Sequence, residues 1–162
     1  MPPSEALQAG RPIGATGQVE LRDQGGQPRR LADLAGRLLV VFFYPKDDTP
    51  GCTIEASEFS ALKVKFDALE CRLVGVSTDS VESHRAFAEK HGLQLTLLAD
   101  EAGALAQAFG VMRNGRAART TFVLDERLRL VRAFYDVGAR GHAQSVLEFL
   151  AARLESGRML GG

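Results

Sequence analysis

The chain has 162 residues, with 20 basic and 20 acidic side chains and no formal net charge, which gives no argument for nucleic acid or an anionic membrane as a partner. Its length fits one domain with a proper core, and its composition, 45% apolar and 25% charged, is ordinary for a soluble globular protein. No apolar run is long enough to span a membrane, and two cysteines do not make a disulfide framework.

Residues 1–12 read as a loose terminal segment of a single domain covering 1–162. Met1 to Gly10 has neither a basic n-region nor an apolar h-region, so it is not read as a signal peptide, and the reducing cytoplasm is the expected compartment. Val19 to Leu21 and Arg30-Leu31 flank the polar turn residues Asp23 to Pro28, a hairpin signal. Leu31 to Ala35 reads as a short helical turn ending at Gly36. Leu38 to Tyr44 is a continuous apolar run, as expected for a strand covered on both faces. Ile54, Phe59, Leu62, Phe66 and Leu69 have helical spacing and predict a helix from Cys52 to about Ala68.

Leu73 to Ser77 is the next strand. Asp79-Ser80-Val81-Glu82 resembles a capping box opening a helix that ends near His91, with Gly92 as its stop. Leu95 to Ala99 is a short strand. Asp100 is read as the cap of a helix from Glu101 to Phe109, closed by Gly110, and Asn114-Gly115 as a tight turn. Thr120 to Leu124 and Arg129 to Tyr135 are two strands across the turn Asp125 to Leu128. Ala143, Val146, Leu147, Leu150, Ala151 and Leu154 give a last helix that covers one face of the sheet. Alternating strands and helices give an α/β domain with a central mixed sheet flanked by helices and an N-terminal β-hairpin extension.

The richest segment is Pro45-Lys46-Asp47-Asp48-Thr49-Pro50-Gly51-Cys52. It sets a cysteine in the first turn of a helix, at the carboxyl end of a central strand. There, unpaired backbone N–H groups and the positive end of the helix dipole favour a thiolate. The competing reading is a buried cysteine packed as a small hydrophobe.

Pro45-x-x-x-Thr49-x-x-Cys52 resembles the active-site pattern of the peroxiredoxins. The fuller string Phe43 to Ala56 is similar to the bacterioferritin comigratory protein, or Q-type, subgroup. The likeness runs from about Ile13 to Leu150, with Gly75-Val76-Ser77-Thr78-Asp79-Ser80 and Arg119 to Asp125 as supporting stretches.

The resemblance implies a thioredoxin-like fold and a thiol-dependent peroxidase. Cys52 would be oxidised by hydrogen peroxide or an alkyl hydroperoxide to a sulfenic acid. The Thr49 hydroxyl would hydrogen-bond the sulfur or the peroxide. Pro45 would stiffen the loop and keep water from one side, and the backbone N–H groups of Gly51 and Cys52 would face the pocket. Arg119 would be the cation at the sulfur. It would outweigh Asp47 and Asp48, which are expected to point to solvent. Glu55 either supports the helix dipole or organises the arginine, and Tyr44 is read as a pocket wall rather than an acid.

The histidines have no ligand spacing. His84 and His91 sit two helical turns apart, and a surface or half-buried structural role is expected for all three. Neither a metal nor another cofactor is called for.

Many members of the subgroup carry a second cysteine five residues after the first, and here that residue is Ser57. Another arrangement puts the resolving cysteine in the next major helix, which contains none here. Along a continuous helix Cys71 would lie roughly 25 Å from Cys52, whereas a disulfide needs Cα atoms within about 7 Å. No resolving cysteine is assigned. The expected partners are a hydroperoxide and an external thiol, namely thioredoxin, glutaredoxin or glutathione, and a monomer or weak dimer is expected. A thioredoxin-type oxidoreductase would need Cys-x-x-Cys, but Glu55 takes the fourth place. The remaining alternative is a redox-sensing thioredoxin-fold module without efficient turnover.

Overall fold

The computed structural model describes residues 9–161. A short 3-10 turn at Gly14–Gln18 leads into the hairpin β1 (Leu21–Asp23) and β2 (Pro28–Arg29), then α1 (Leu31–Leu34) and β3 (Leu38–Phe43). Two helices follow, α2 (Pro50–Ala61) and α3 (Lys63–Ala68), then β4 (Cys71–Ser77), α4 (Val81–His91), β5 (Thr96–Ala99) and α5 (Ala104–Ala108). The small hairpin β6 (Met112–Arg113) and β7 (Arg116–Ala117) precedes β8 (Thr120–Asp125), β9 (Leu130–Phe134) and α6 (His142–Gly161).

The main sheet has seven strands in the order β2-β1-β5-β4-β3-β8-β9. β3, β4 and β5 run parallel, while β8, β9 and the N-terminal hairpin join antiparallel, so the sheet is mixed as expected. β3 lies inside it and all six of its residues are buried. Its alternate residues feed two cores. Val40, Phe42 and the following Tyr44 pack with Cys52, Ala56 and Phe59 of α2, Phe87 of α4 and Val146 of α6. Leu39, Val41 and Phe43 pack on the other face with α1 and α5. Gly75 faces Phe42 and Leu97 across the strands on either side. A Cβ there would lie 2.7 Å from Phe42 Cζ, so only glycine leaves room for the ring.

The long helix expected from Cys52 to Ala68 is two helices. At Leu62 (φ −94°, ψ 3°) the backbone N–H turns toward the carbonyls of Glu58, Phe59 and Ser60, and the axis breaks. The cap of α4 is Ser80, whose side chain accepts from Ser83 N, and not Asp79. The helix after β5 starts late. The Asp100 carboxylate accepts from the N–H groups of Leu105 and Ala106, and Gly103 takes positive φ ahead of the helix. Of the segment expected to be loose, residues 1–8 lie outside the described residues. Gly10 N donates to Leu130 O, Arg11 O accepts from Leu130 N, and Pro12 bridges Arg129.

Candidate active site

β3 delivers the chain to a loop at its carboxyl end, and α2 takes it away. Thr49 is extended and Pro50 occupies the first helical turn, where a missing N–H costs nothing. Thr49 O accepts from Thr53 N, while the N–H groups of Gly51 and Cys52 have no acceptor among the described residues. Cys52 is 1% exposed and lies in the first turn of α2, at the positive end of the helix dipole.

Arg119, at the entrance to β8, reaches the same point from the neighbouring strand. Its Nη2 donates to Cys52 Sγ at 3.4 Å and its Nη1 to Glu55 Oε1 at 2.8 Å. β3 and β8 pair antiparallel, with Phe43 opposite Thr120, so the start of β8 lies at the end of β3 from which the cysteine loop leaves. Gly51 makes room for the guanidinium: a Cβ there would lie 2.9 Å from Nη2.

Glu55 is completely buried, and its Oε2 has no partner among the described residues. Burial pushes its carboxyl up to about 7, against the downward pull of Arg119. Partial burial weakens the hold of Arg119 on its proton, but Glu55 and Cys52 together raise it above the ordinary arginine value. Next to this group, His142 is driven down to about 4 by burial and then by the charge of Arg119, so it is neutral. Its Nε2 meets Thr121 Oγ1 at 2.8 Å.

Cys52, Arg119, Glu55 and Gly51 are therefore brought together at one point. The Thr49 hydroxyl does not reach the sulfur but donates to Lys46 O at 2.8 Å. Its proton is engaged, and its lone pairs remain free to accept. Pro45 is half-buried at the head of the loop. Tyr44 is fully buried, with its hydroxyl donating to Asp47 Oδ1 at 2.6 Å.

Two expectations are overturned. Asp47 does not point to solvent: its carboxylate is buried and accepts from Tyr44, Ser83 and His84. His84 and His142 are buried too, whereas His91 is half-buried and pairs with the exposed Asp48. Polar residues of a loop read as solvated, and two of the three Asp47 partners, Ser83 and His84, lie more than 30 residues away, where no local signal reveals them. His84 also lies among carboxylates. Ligand atoms of Asp47, Asp79 and His84 lie within 4.8 Å of one another. The 2.7 Å between His84 Nδ1 and Asp47 Oδ2 is a hydrogen-bond distance, and both carboxylates already accept from hydroxyls, which explains the cluster without an ion.

Ser57 is half-buried within α2. Cys71 is the first residue of β4 and pairs with Leu38, at the end of β3 away from Cys52. Those ends are roughly 17 Å apart at about 3.3 Å per residue. Both cysteines are free, and burial pushes the Cys71 thiol up to about 12.

A buried thiol at a helix N-terminus, faced by an arginine from the adjacent antiparallel strand of a mixed sheet, defines a thiol oxidoreductase of thioredoxin-like fold. The AhpC/TSA family model matches residues 15–133. The chain belongs to that family, and within it to the peroxiredoxins of the Bcp/Q kind. Peroxiredoxin Bcp of Xanthomonas campestris is 40% identical over 146 residues, covering 85% of this chain and 91% of that protein. Peroxiredoxin Bcp of Bacillus subtilis is 37% identical over 140 residues, covering 82% and 89%.

Among solved structures, the Xanthomonas campestris bacterioferritin comigratory protein, studied for alkyl peroxide reduction, superposes with a TM-score of 0.83 at 38% identity, over 91% of this chain and 97% of that one. A cysteine-to-serine variant of Xylella fastidiosa PrxQ gives a TM-score of 0.87 at 33% identity, over 91% and 98%. The protein is a thiol-dependent peroxidase. No helix among the described residues is long and apolar enough to cross a membrane.

Proposed function

We propose that Cys52 is the peroxidatic thiol, that it reduces hydrogen peroxide and small alkyl hydroperoxides, and that an external thiol resolves it. The observation that carries this reading is the Arg119–Cys52 contact at the N-terminus of α2. Sulfur attacks the terminal oxygen of the hydroperoxide. An S–O bond forms, the O–O bond breaks, and an alkoxide or hydroxide leaves and takes a proton. Arg119 and the amides of Gly51 and Cys52 are donors already in place for the charge on sulfur and on the oxygens. Thr49, with its own proton on Lys46 O, accepts the O–H of the peroxide and helps to hold the O–O bond in line.

The product is Cys52 sulfenic acid. Without an assigned resolving cysteine, a thiol of thioredoxin, glutaredoxin or glutathione attacks it, releasing water and leaving a mixed disulfide that a second thiol reduces. A monomer or weak dimer in the cytoplasm fits this exchange with mobile thiol partners.

The test is peroxide turnover against a panel of thiol donors. Cys52→Ser abolishes it with every donor, and Cys71→Ser retains most of it. A dead Cys71→Ser variant with an active Cys52→Ser variant would overturn the assignment.

A further inference from the structure

We propose that His84 is a positioning residue for the Cys52 loop, standing as an imidazolium that ties Asp47 to α4 and β5. This rests on the peroxidase reading of Cys52 and adds a residue that touches neither sulfur nor peroxide.

Both ring nitrogens of His84 face acceptors. Nε2 lies 2.9 Å from the carbonyl oxygen of Leu98 in β5. A carbonyl only accepts, so Nε2 carries a hydrogen. Nδ1 lies 2.7 Å from Asp47 Oδ2. That carboxyl also takes the Ser83 hydroxyl on Oδ2 at 2.8 Å and the Tyr44 hydroxyl on Oδ1 at 2.6 Å. Three donors converge on Asp47, as suits a carboxylate, and the second ring proton sits on Nδ1. His84 is wholly buried and Asp47 nearly so, and the pair carries no net charge.

The pair grips the loop where it needs an outside hold. Asp48, the next residue, has φ +58°, a left-handed conformation unusual outside glycine. Its own ties, to Lys90 and His91 of α4, are largely exposed, and exposed ion pairs contribute little. Asp47 is held twice: by the side-chain contacts above and by its N–H, which donates to Asp79 Oδ2 at 2.8 Å. Asp79 in turn accepts from Ser77 Oγ at the end of β4. The Lys46 carbonyl that takes the Thr49 proton immediately precedes Asp47. Holding Asp47 therefore sets the orientation of Thr49 and the entry of the chain into α2, three residues before Cys52.

Among the described residues, the titratable groups that meet His84 are Asp47 and Tyr44 from the cysteine loop and Asp79 from the turn after β4; on α4 the adjacent Ser83 bonds Asp47, and from β5 the Leu98 carbonyl meets the ring. Burial, then the charge of Asp47, raises Tyr44 well above the ordinary tyrosine value, so it remains a donor.

The test has two parts on the full chain. Nitrogen-detected NMR of the imidazole at neutral pH is expected to find both His84 nitrogens protonated; a neutral ring would overturn the proposal. In stopped flow, His84→Gln and Asp47→Asn are expected to slow oxidation of Cys52 by hydrogen peroxide about 100-fold per folded molecule, the scale of a reacting group misplaced by about 1 Å. A folded His84→Gln variant oxidised at the wild-type rate would overturn the positioning role alone, whereas a slow wild type would overturn the peroxidase reading with it. If the variants do not fold, the wild-type nitrogen spectrum decides: two protonated ring nitrogens support the proposal, and a neutral ring overturns it.

Discussion

Arg119 Nη2 donates to Cys52 Sγ across 3.4 Å, joining the entrance of β8 to the first turn of α2 over 67 residues of sequence. The contact brings a fixed cation to the atom that must attack as an anion. Arg119→Ala is expected to slow Cys52 oxidation about 10²- to 10³-fold, the usual cost of removing one preorganised donor. Stopped-flow oxidation by hydrogen peroxide of the folded variant measures this. A wild-type rate would mean that the helix terminus supports the attack without the arginine.

Glu55 gives the site a pH-dependent stability. Its folded carboxyl is raised to about 7 by burial, from an ordinary value of 4.5. Between those values the folded state holds a proton that the unfolded state has lost. The contribution is therefore fully present below about 4.5 and is lost as pH rises through about 7. Glu55→Gln should remove this slope while keeping an acceptor for Arg119. Urea midpoints of wild type and variant across pH 4 to 8 measure it, and parallel curves would contradict it.

Gly51 is required by the space under the guanidinium, not by its backbone angles. Gly51→Ala puts a methyl 2.9 Å from Arg119 Nη2. The flexible end of the arginine yields at little cost in stability, but it leaves the sulfur. We expect a thermal midpoint near that of wild type with Cys52 oxidation slowed at least about tenfold, approaching the loss of the donor itself. Rapid oxidation of this variant would show that the arginine need not sit over Gly51.

The sheet and the reactive thiol were legible because their signals are local. The continuous apolar run of β3, Gly92 at the end of α4 and the Asn114-Gly115 turn each lie within a few residues. The break at Leu62 was hidden because the apolar spacing continues through it. Arg119 was legible only through the family motif, since its partner is 67 residues away. The Asp47–His84 pair had no motif to carry it, and an acid in a polar loop looks solvated until the fold brings Tyr44, Ser83 and His84 around it.

Ser57 tests the geometry of resolution. In an intact α2 a residue five positions beyond Cys52 lies roughly 7.5 Å further along the axis, slightly beyond disulfide reach. Ser57→Cys is expected to form an intrachain disulfide on oxidation only with loss of helical signal, as the first turns of α2 unwind. Circular dichroism before and after one equivalent of peroxide reads this. A disulfide formed at unchanged helicity would contradict it.

The most direct test of a one-cysteine enzyme is intact-mass analysis of the wild-type chain after one equivalent of peroxide without added thiol. Cys71 lies at the far end of the strand pair, so no internal thiol reaches the oxidised sulfur in the folded state. The expected result is a gain of one oxygen, trapped on Cys52 by a sulfenic-acid reagent, and further oxidation to sulfinic acid in excess peroxide. A loss of two hydrogens, with peptides linking Cys52 to Cys71, would contradict it.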